Sequence, residues 1–149
     1  MERWFAQGGA VIVKGKPGNT EIDRPILVAG GTLEYGKEVE GVADVSDFSG
    51  IITKSVTRLP REGNPPPRIA ETAAGMLNSI GLANLGVEGY CKEKMPFLNE
   101  LATKIIINVA GTTMSDYIET FEILEDHGGN HVGYEINISC PNEIGRAHV

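Results

Sequence analysis

Cysteine, basic charge and long apolar runs are all scarce in this sequence. Its only two cysteines, Cys91 and Cys140, form no CxxC pair and need no disulfide to explain them. Lys and Arg number 13 against 20 Asp and Glu, and the net charge of −7 argues against a surface that binds nucleic acid or anionic membranes. No apolar run approaches the roughly 20 residues of a transmembrane helix, and the N-terminus carries no convincing signal peptide. We therefore expect a cytoplasmic protein.

The hydrophobic content, 41% of 149 residues, is ordinary for one globular domain with a sizeable core. Four short apolar runs predict β-strands, at residues 26–29, 51–53, 105–107 and 134–138. The first is continuously apolar, as in a parallel strand covered on both faces. Helical patterns separate the four runs. This alternation predicts an α/β fold with a parallel sheet and right-handed crossovers.

Three helical regions are predicted between the strands. Residues 37–48 form a short helix with Val39, Val42 and Ala43 inward, and residues 86–101 form a helical region interrupted by Pro96. Thr113 and Asp116 make a capping box for the third helix, which Gly128 ends. Its inward face is expected to hold Tyr117, Ile118, Phe121 and Leu124. His127 and His131, on either side of a Gly-rich break, are interpreted as loop residues and not as a metal pair.

The most irregular stretch covers residues 58–82, RLPREGNPPPRIAETAAGMLNSIGL. Its prolines remove backbone donors and fix φ, and Gly63 with Asn64 is turn chemistry, so a loop is expected here. Long ordered loops in compact domains are usually functional. The loop follows a strand that ends at Lys54, and a lysine there is typical of a site at the rim of an α/β fold. A solvated surface lysine is the plainer alternative.

The string PREGNPPPR-x-AET-x-AGMLNSIGL, preceded by Thr53-Lys54 and followed by NISCPN at 137–142, resembles dihydroorotate dehydrogenases of the cytosolic class. The NSIGL form is similar to the branch that works with an NAD-linked iron–sulfur/flavin subunit. The resemblance covers residues 25–142 and implies the N-terminal half of a (β/α)₈ TIM barrel, with parallel strands and the helices outside. Residues 1–24 are expected to form a hairpin or arm. Residues 143–149, EIGRAHV, look like a translated sequencing adapter, so we expect a truncated reading frame with an artefactual tail.

The resemblance implies oxidation of (S)-dihydroorotate to orotate in UMP biosynthesis, with FMN as hydride acceptor. It makes Cys140, in NISCPN, the catalytic base, where membrane-associated relatives use serine. It implies substrate contacts from Lys54, Asn78, Ser79, Ile80, Gly81, Leu82 and Asn137. It implies FMN contacts from Gly30, Lys54, Ser55, Asn108 and Asn137. Each asparagine taken singly is more often a strand-end amide that satisfies loop backbone, but the ordered set favours a site.

One segment departs from the family pattern. The family usually has serine at position 30 and an aromatic–glycine pair at positions 33 and 34, whereas this chain has Gly30, Leu33 and Glu34. A side-chain contact to flavin at position 30 is therefore absent. A plain strand-to-helix turn describes this segment about as well.

Two other functions stay open, the pyrimidine-reducing domain of a dihydropyrimidine dehydrogenase and a non-catalytic truncated half-barrel. The resemblance also implies dihydroorotate and orotate as ligands, an iron–sulfur/FAD electron-transfer subunit that uses NAD as a further partner, and a homodimer or heterotetramer. Because a full barrel of this type needs roughly 250 residues, we expect the 149-residue chain alone not to oxidise dihydroorotate.

Overall fold

The computed structural model describes residues 20–22, 26–39 and 41–138. Its elements follow in the order β1 (Leu27–Val28), β2 (Gly50–Ile52), β3 (Ile69–Thr72), β4 (Gly75–Asn78), α1 (Gly86–Glu93), α2 (Met95–Glu100), β5 (Lys104–Ala110), α3 (Met114–His127) and β6 (His131–Asn137). Strands β1, β2, β5 and β6 form one parallel sheet in that spatial order. This confirms the predicted α/β class. Within the described residues the sheet has open edges at β1 and β6 and does not close into a barrel.

The hydrophobic core lies between one face of this sheet and the three helices. Alternation along β5 buries Ile105, Ile107 and Val109 on that face, as the two-residue period of a strand requires. Tyr90 and Leu124 pack against them from α1 and α3. The same alternation turns the side chains between them toward the opposite face, where no helix packs among the described residues. That face holds the cleft described below.

Helix α3 begins and ends as its sequence predicts. The Thr113 hydroxyl accepts from the Asp116 amide at 3.2 Å, and the Asp116 carboxylate accepts in return from the Thr113 amide at 2.9 Å. Gly128, with φ of 63°, ends the helix. Ile118 was wrongly placed on the inward face, since it is 50% exposed, and Thr120 is buried instead. A helical face that holds positions 117, 121 and 124 also contains position 120, whereas 118 lies to one side.

Residues 37–48 do not form the predicted helix. They contain two short 3₁₀ turns, at Lys37–Val39 and Val45–Asp47. Val42 is 86% exposed and so is not inward. Gly36 and Gly41 both have positive φ, of 89° and 82°, which interrupts α-helical geometry on both sides of the first turn.

Three strands also differ from the prediction, two in their boundaries and one in its burial. Strand β6 begins at His131, three residues earlier than expected, and His127 is the last residue of α3, so interpreting the two histidines as loop residues was wrong. Strand β5 continues past Asn108 to Ala110, which places Asn108 inside the strand and not after its end. Strand β1 is only partly covered, because Ile26 and Leu27 are exposed.

Residues 58–82 are more regular than their prolines and glycines indicate. They contain an antiparallel hairpin in which Ile69 pairs with Asn78 and Thr72 with Gly75. All eight residues of β3 and β4 are exposed, so no alternation between buried and exposed positions marks these strands in the sequence.

Asn84 ties the two ends of this loop to the rest of the fold. Its Oδ1 accepts from the amides of Thr57 at 3.2 Å and Gly86 at 2.9 Å, and its Nδ2 donates to the Leu82 carbonyl at 2.8 Å. The backbones of Asn84 and Arg61 exchange two hydrogen bonds of 2.9 Å. One side chain therefore fixes the path of the chain where it enters and leaves the loop.

Asn84→Ala is expected to destabilise the chain by about 1–3 kcal/mol, because partly buried amides at both ends of the loop lose their acceptor. Urea unfolding measures this loss. Asn99→Ala is the control, since Asn99 is exposed and its Oδ1 accepts from the Asn130 amide at 2.9 Å. Equal losses for the two variants would show that Asn84 has no special role.

The α3 cap predicts a pH dependence of stability. The Thr112 hydroxyl, together with the amides of Thr113 and Thr112, lowers the pKa of the Asp116 carboxyl from 3.8 to about 2. Because the folded-state pKa is the lower one, the contribution is present above pH 4 and is lost as the pH falls toward 2. Asp116→Asn is expected to flatten the change in unfolding free energy across this range. Its size is limited by solvent screening, since the carboxyl is accessible. An unchanged pH profile in urea titrations would contradict the assignment.

Candidate active site

A cleft of about 1080 Å³ opens on the sheet face opposite the core. This volume is at the upper end for sites that hold small molecules and cofactors. The carboxyl ends of the parallel strands form its floor, and the hairpin and the following segment form one wall. Eight of the residues implied by the resemblance line it: Gly30, Lys54, Ser55, Asn78, Ile80, Leu82, Asn108 and Asn137.

Two of the implied site residues that the structure describes, Ser79 and Gly81, do not line the cleft. Ser79 lies within the loop, where its Oγ accepts from Asn64 Nδ2 at 2.8 Å. Gly81 is buried with φ of 74°, and a Cβ there would lie 2.6 Å from the Asn64 backbone nitrogen. Both residues therefore shape the loop, and their contacts with a ligand stay predictions. Cys140 lies outside the described residues.

A bulge directs two adjacent side chains into the cleft. Ile52 pairs with Ile106 and Val56 with Val109, so four steps along one chain face three along the other. Thr53 and Val56 are both fully buried on the core side. The two residues between them, Lys54 and Ser55, both line the cleft. A regular strand would have turned one of the two away.

Asn108 lies beside this bulge and is bonded on every side. Its amide nitrogen donates to Thr53 Oγ1 at 3.2 Å, and its carbonyl accepts from the Val56 amide at 2.8 Å. Its Oδ1 accepts from Ser55 Oγ at 2.5 Å, and its Nδ2 donates to Glu135 Oε1. Asn108 is 4% exposed, so these partners replace water and hold the amide in one orientation.

The network extends from Asn108 to the end of β6. Asn137 Nδ2 donates to Ser55 Oγ at 3.2 Å, so the donors run from Asn137 through Ser55 to Asn108 and end on the Glu135 carboxylate. The Tyr117 hydroxyl donates to the Asn137 carbonyl at 2.7 Å and fixes this strand end to α3. Three strands thus contribute to one directional chain of hydrogen bonds.

Glu135 is a cleft residue that the sequence reasoning missed. It lines the cleft and pairs across the sheet with Asn108. The signal was present, because Glu135 and Asn137 are two residues apart on one strand and so share a face.

Lys54 meets a carboxylate inside the cleft. Its Nζ lies 2.7 Å from Glu34 Oε1, and its backbone amide donates to the Glu34 carbonyl at 2.9 Å. Glu34 has φ of 51°, a left-handed conformation that is uncommon for residues other than glycine. Lys54 is therefore a cleft residue and not the solvated surface lysine of the plainer alternative.

Gly30 brings backbone close to this network. A Cβ at this position would lie 3.2 Å from the Thr53 carbonyl and 3.4 Å from Asn108 Nδ2. Any larger side chain here would crowd the Thr53 carbonyl and the Asn108 side-chain amide. Glycine avoids this crowding and leaves its own backbone accessible from the cleft.

Cys91 belongs to the core and not to the cleft. It is buried on α1. Burial, and after it the neighbouring Glu88 carboxylate, raises the pKa of its thiol and so favours the protonated form, which cannot accept a proton.

Within residues 20–22, 26–39 and 41–138, no group of three or more His, Cys, Asp or Glu side chains is placed to hold a metal ion. None of the helices in those ranges is long and apolar enough to cross a membrane.

Comparison with known proteins identifies the family. The family model for dihydroorotate dehydrogenase matches residues 13–149, a range that begins and ends outside the residues on which the resemblance was based. The catalytic subunit of dihydroorotate dehydrogenase B (NAD(+)) from Thermodesulfovibrio yellowstonii is 44% identical over 132 residues, 89% of this chain and 43% of that protein. A putative dihydroorotate dehydrogenase A (fumarate) from Solibacter usitatus is 46% identical over 121 residues, 81% of this chain and 40% of that protein.

A third relative, the dihydroorotate dehydrogenase B (NAD(+)) catalytic subunit of Phocaeicola vulgatus, is 44% identical over 126 residues, 84% of this chain and 41% of that protein. The chain thus spans about two fifths of the length of these relatives. This chain belongs to the dihydroorotate dehydrogenase family.

Proposed function

We propose that the cleft forms part of the site at which dihydroorotate is oxidised to orotate in pyrimidine biosynthesis. One observation carries this proposal. Lys54, Ser55, Asn108 and Asn137, four residues that the family resemblance singles out, line one cleft at the carboxyl ends of adjacent parallel strands. Barrel enzymes place their chemistry at this end of the strands.

The donor set suits a planar pyrimidine that bears a carboxylate. The ring presents amide N–H and C=O groups, which asparagine side chains can meet as acceptors and donors. The Lys54 ammonium supplies the positive charge that the carboxylate of dihydroorotate needs. A dihydropyrimidine without a carboxylate would leave this cation with no ligand anion, which favours dihydroorotate over the alternative substrate.

The cleft also fits FMN as the hydride acceptor. The open backbone at Gly30 and the polar groups of Lys54, Ser55, Asn108 and Asn137 would hold its ring edge. When bound, FMN supplies a two-electron acceptor for the hydride that leaves C6 of dihydroorotate. The residues of the chain would orient the ring, and the Asn108 side chain, fixed by Ser55 and Glu135, keeps its second N–H and its second oxygen lone pair for such a contact.

We propose Cys140 as the base that removes the C5 proton. In the sequence Cys140 comes three residues after Asn137, the last residue of β6, whose carbonyl accepts from the Tyr117 hydroxyl. The Cys140 thiolate would take the proton from C5, the electron pair of that C–H bond would form the C5=C6 double bond, and the C6 hydride would pass to the flavin acceptor, so that atoms and electrons balance. A free thiol has a pKa of about 8.5, so the rate should rise with pH up to that value.

The relatives differ in the electron acceptor that their names state, NAD(+) in one group and fumarate in another. We propose an iron–sulfur/FAD subunit that uses NAD as partner, in a heterotetramer, with a homodimer as the simpler assembly. The described sheet has four strands with open edges, so inactivity of the 149-residue chain on its own stays a prediction. The experiments below therefore use the full-length protein that carries this sequence.

Cys140→Ala is expected to lower dihydroorotate turnover by about 10²–10⁴-fold, the usual contribution of a general base. FMN should stay bound, as judged by flavin absorbance, and the rise of rate with pH should disappear. Cys91→Ala is the matched control and should keep turnover, because the buried Cys91 lies away from the cleft. Near-normal turnover in flavin-replete Cys140→Ala would rule out Cys140 as the base.

Lys54→Met, which keeps the aliphatic stem and removes the charge, should weaken binding of FMN, orotate or both by about tenfold or more, since hydrogen bonds to charged groups contribute roughly 1.5–3 kcal/mol. Titrating flavin-free protein with FMN, and FMN-loaded protein with orotate, separates the two roles. Lys92→Ala, at an exposed lysine in the last turn of α1, is the control. Unchanged affinities in both titrations of Lys54→Met would remove Lys54 from the site.

A further inference from the structure

The Glu34 carboxylate pairs with the Lys54 ammonium, the cation that an anionic ligand in this cleft would need. The carboxylate accepts from Lys54 Nζ at 2.7 Å, and both side chains line the same cleft. We propose that Glu34 is an internal counter-ion, which holds Lys54 in the ligand-free cleft and gives it up when an anionic ligand group binds. This inference rests on the proposed function, and it makes Glu34 a residue that sets the affinity and selectivity of the cleft for anions.

The pair is built into the backbone and is not a chance surface contact. The Lys54 amide donates to the Glu34 carbonyl at 2.9 Å, which holds the two residues side by side whatever their side chains do. A second bond, from the Gly36 amide to the Leu33 carbonyl at 2.7 Å, closes the turn around Glu34. This turn keeps Glu34 at φ of 51° and its carboxylate within reach of Lys54.

The two partners differ in their access to water. The Glu34 side chain is 41% exposed and that of Lys54 is 22% exposed. When the pair separates, the carboxylate can turn into solvent, while the ammonium stays in the cleft and needs a new anion. The geometry therefore favours exchange, in which a ligand carboxylate replaces the Glu34 carboxylate on Lys54 Nζ.

Sharing the ammonium is less favourable than exchange. Lysine has three N–H donors, so two carboxylates can both reach it, but they then repel each other across a few ångströms. Either route lowers the affinity for an anion relative to a cleft that lacks Glu34. Simple anions, which have no further contacts to offset this cost, are disfavoured most.

The anionic group can belong to either of two ligands, the carboxylate of the substrate or the reduced flavin ring and phosphate of FMN. The test is calorimetric titration of the full-length protein, with orotate added to the FMN-loaded form and FMN added to the flavin-free form. Glu34→Gln removes the charge but keeps the shape of the side chain. It is expected to tighten orotate or FMN binding by about two- to fivefold, the range of a partly exposed ion pair.

Four comparisons make the test specific. Glu38→Gln should leave both affinities unchanged, because the Glu38 carboxylate accepts from the Tyr35 amide and not from Lys54. The effect of Glu34→Gln should vanish in the Lys54→Met background, as a double-mutant cycle requires for a direct pair. Uracil, which has no carboxylate, should bind the Glu34→Gln and wild-type proteins equally. Glu34→Gly, which suits the positive φ, should tighten binding in the same way and covers the case in which Glu34→Gln folds poorly.

Salt gives an independent readout. Anion binding to the paired, neutral Lys54–Glu34 site should weaken little as salt is raised, whereas binding to the unpaired cation of Glu34→Gln should weaken clearly. If Glu34→Gln binds only orotate more tightly than wild type does, the anion that replaces Glu34 belongs to the substrate. If it binds only FMN more tightly, the anion belongs to the flavin. Unchanged or weaker binding of both ligands to Glu34→Gln would overturn the inference while leaving the proposed function intact. Failure of every protein, wild type included, to bind either ligand would overturn both.

Discussion

Asn108 is almost fully buried, so each of its polar atoms must find a partner within the protein. Four partners from two segments, the stretch that follows β2 and strand β6, provide them: Thr53, Ser55, Val56 and Glu135. Loss of any one would leave a buried donor or acceptor unpaired, at a cost of about 1–3 kcal/mol. The bulge before Val56, the position of Glu135 and the orientation of the cleft amides all follow from this requirement. A single residue thereby joins the folding of the sheet to the shape of the cleft.

The protein carries a net charge of −7, yet its cleft is proposed to take anions. At long range this field disfavours the approach of an anionic ligand, so attraction must come from local groups. Of the cleft cations, Arg68 already donates to the carbonyls of Asn64 and Glu62, which leaves it in a structural role in the loop. Lys54, held by a side chain that solvent can reach, is the cation better placed to exchange partners.

Features set by neighbouring residues could be predicted from the sequence. The isoleucine run of β5, the helix break at Pro96 and the Thr113 cap each depend on contacts within a few positions. The exposed hairpin could not be predicted, because strands with no buried face show no alternation. The bond between Asn108 and Glu135 joins residues 27 positions apart, so the sequence indicated the polar groups but not their pairing.

The bulge between Ile52 and Val56 lets one short segment both pack the core and line the cleft with two adjacent side chains. Thr53 and Val56 are buried on the core side, while Lys54 and Ser55 line the cleft. Of the two, Ser55 is held to the buried Asn108 amide, whereas the Lys54 side chain bonds only to the partly exposed Glu34 carboxylate among the described contacts. The bulge thus places a changeable cleft position, Lys54, directly beside a buried position, Thr53. Substitution at position 54 would therefore alter the charge of the cleft while Thr53 and Val56 keep their places in the core.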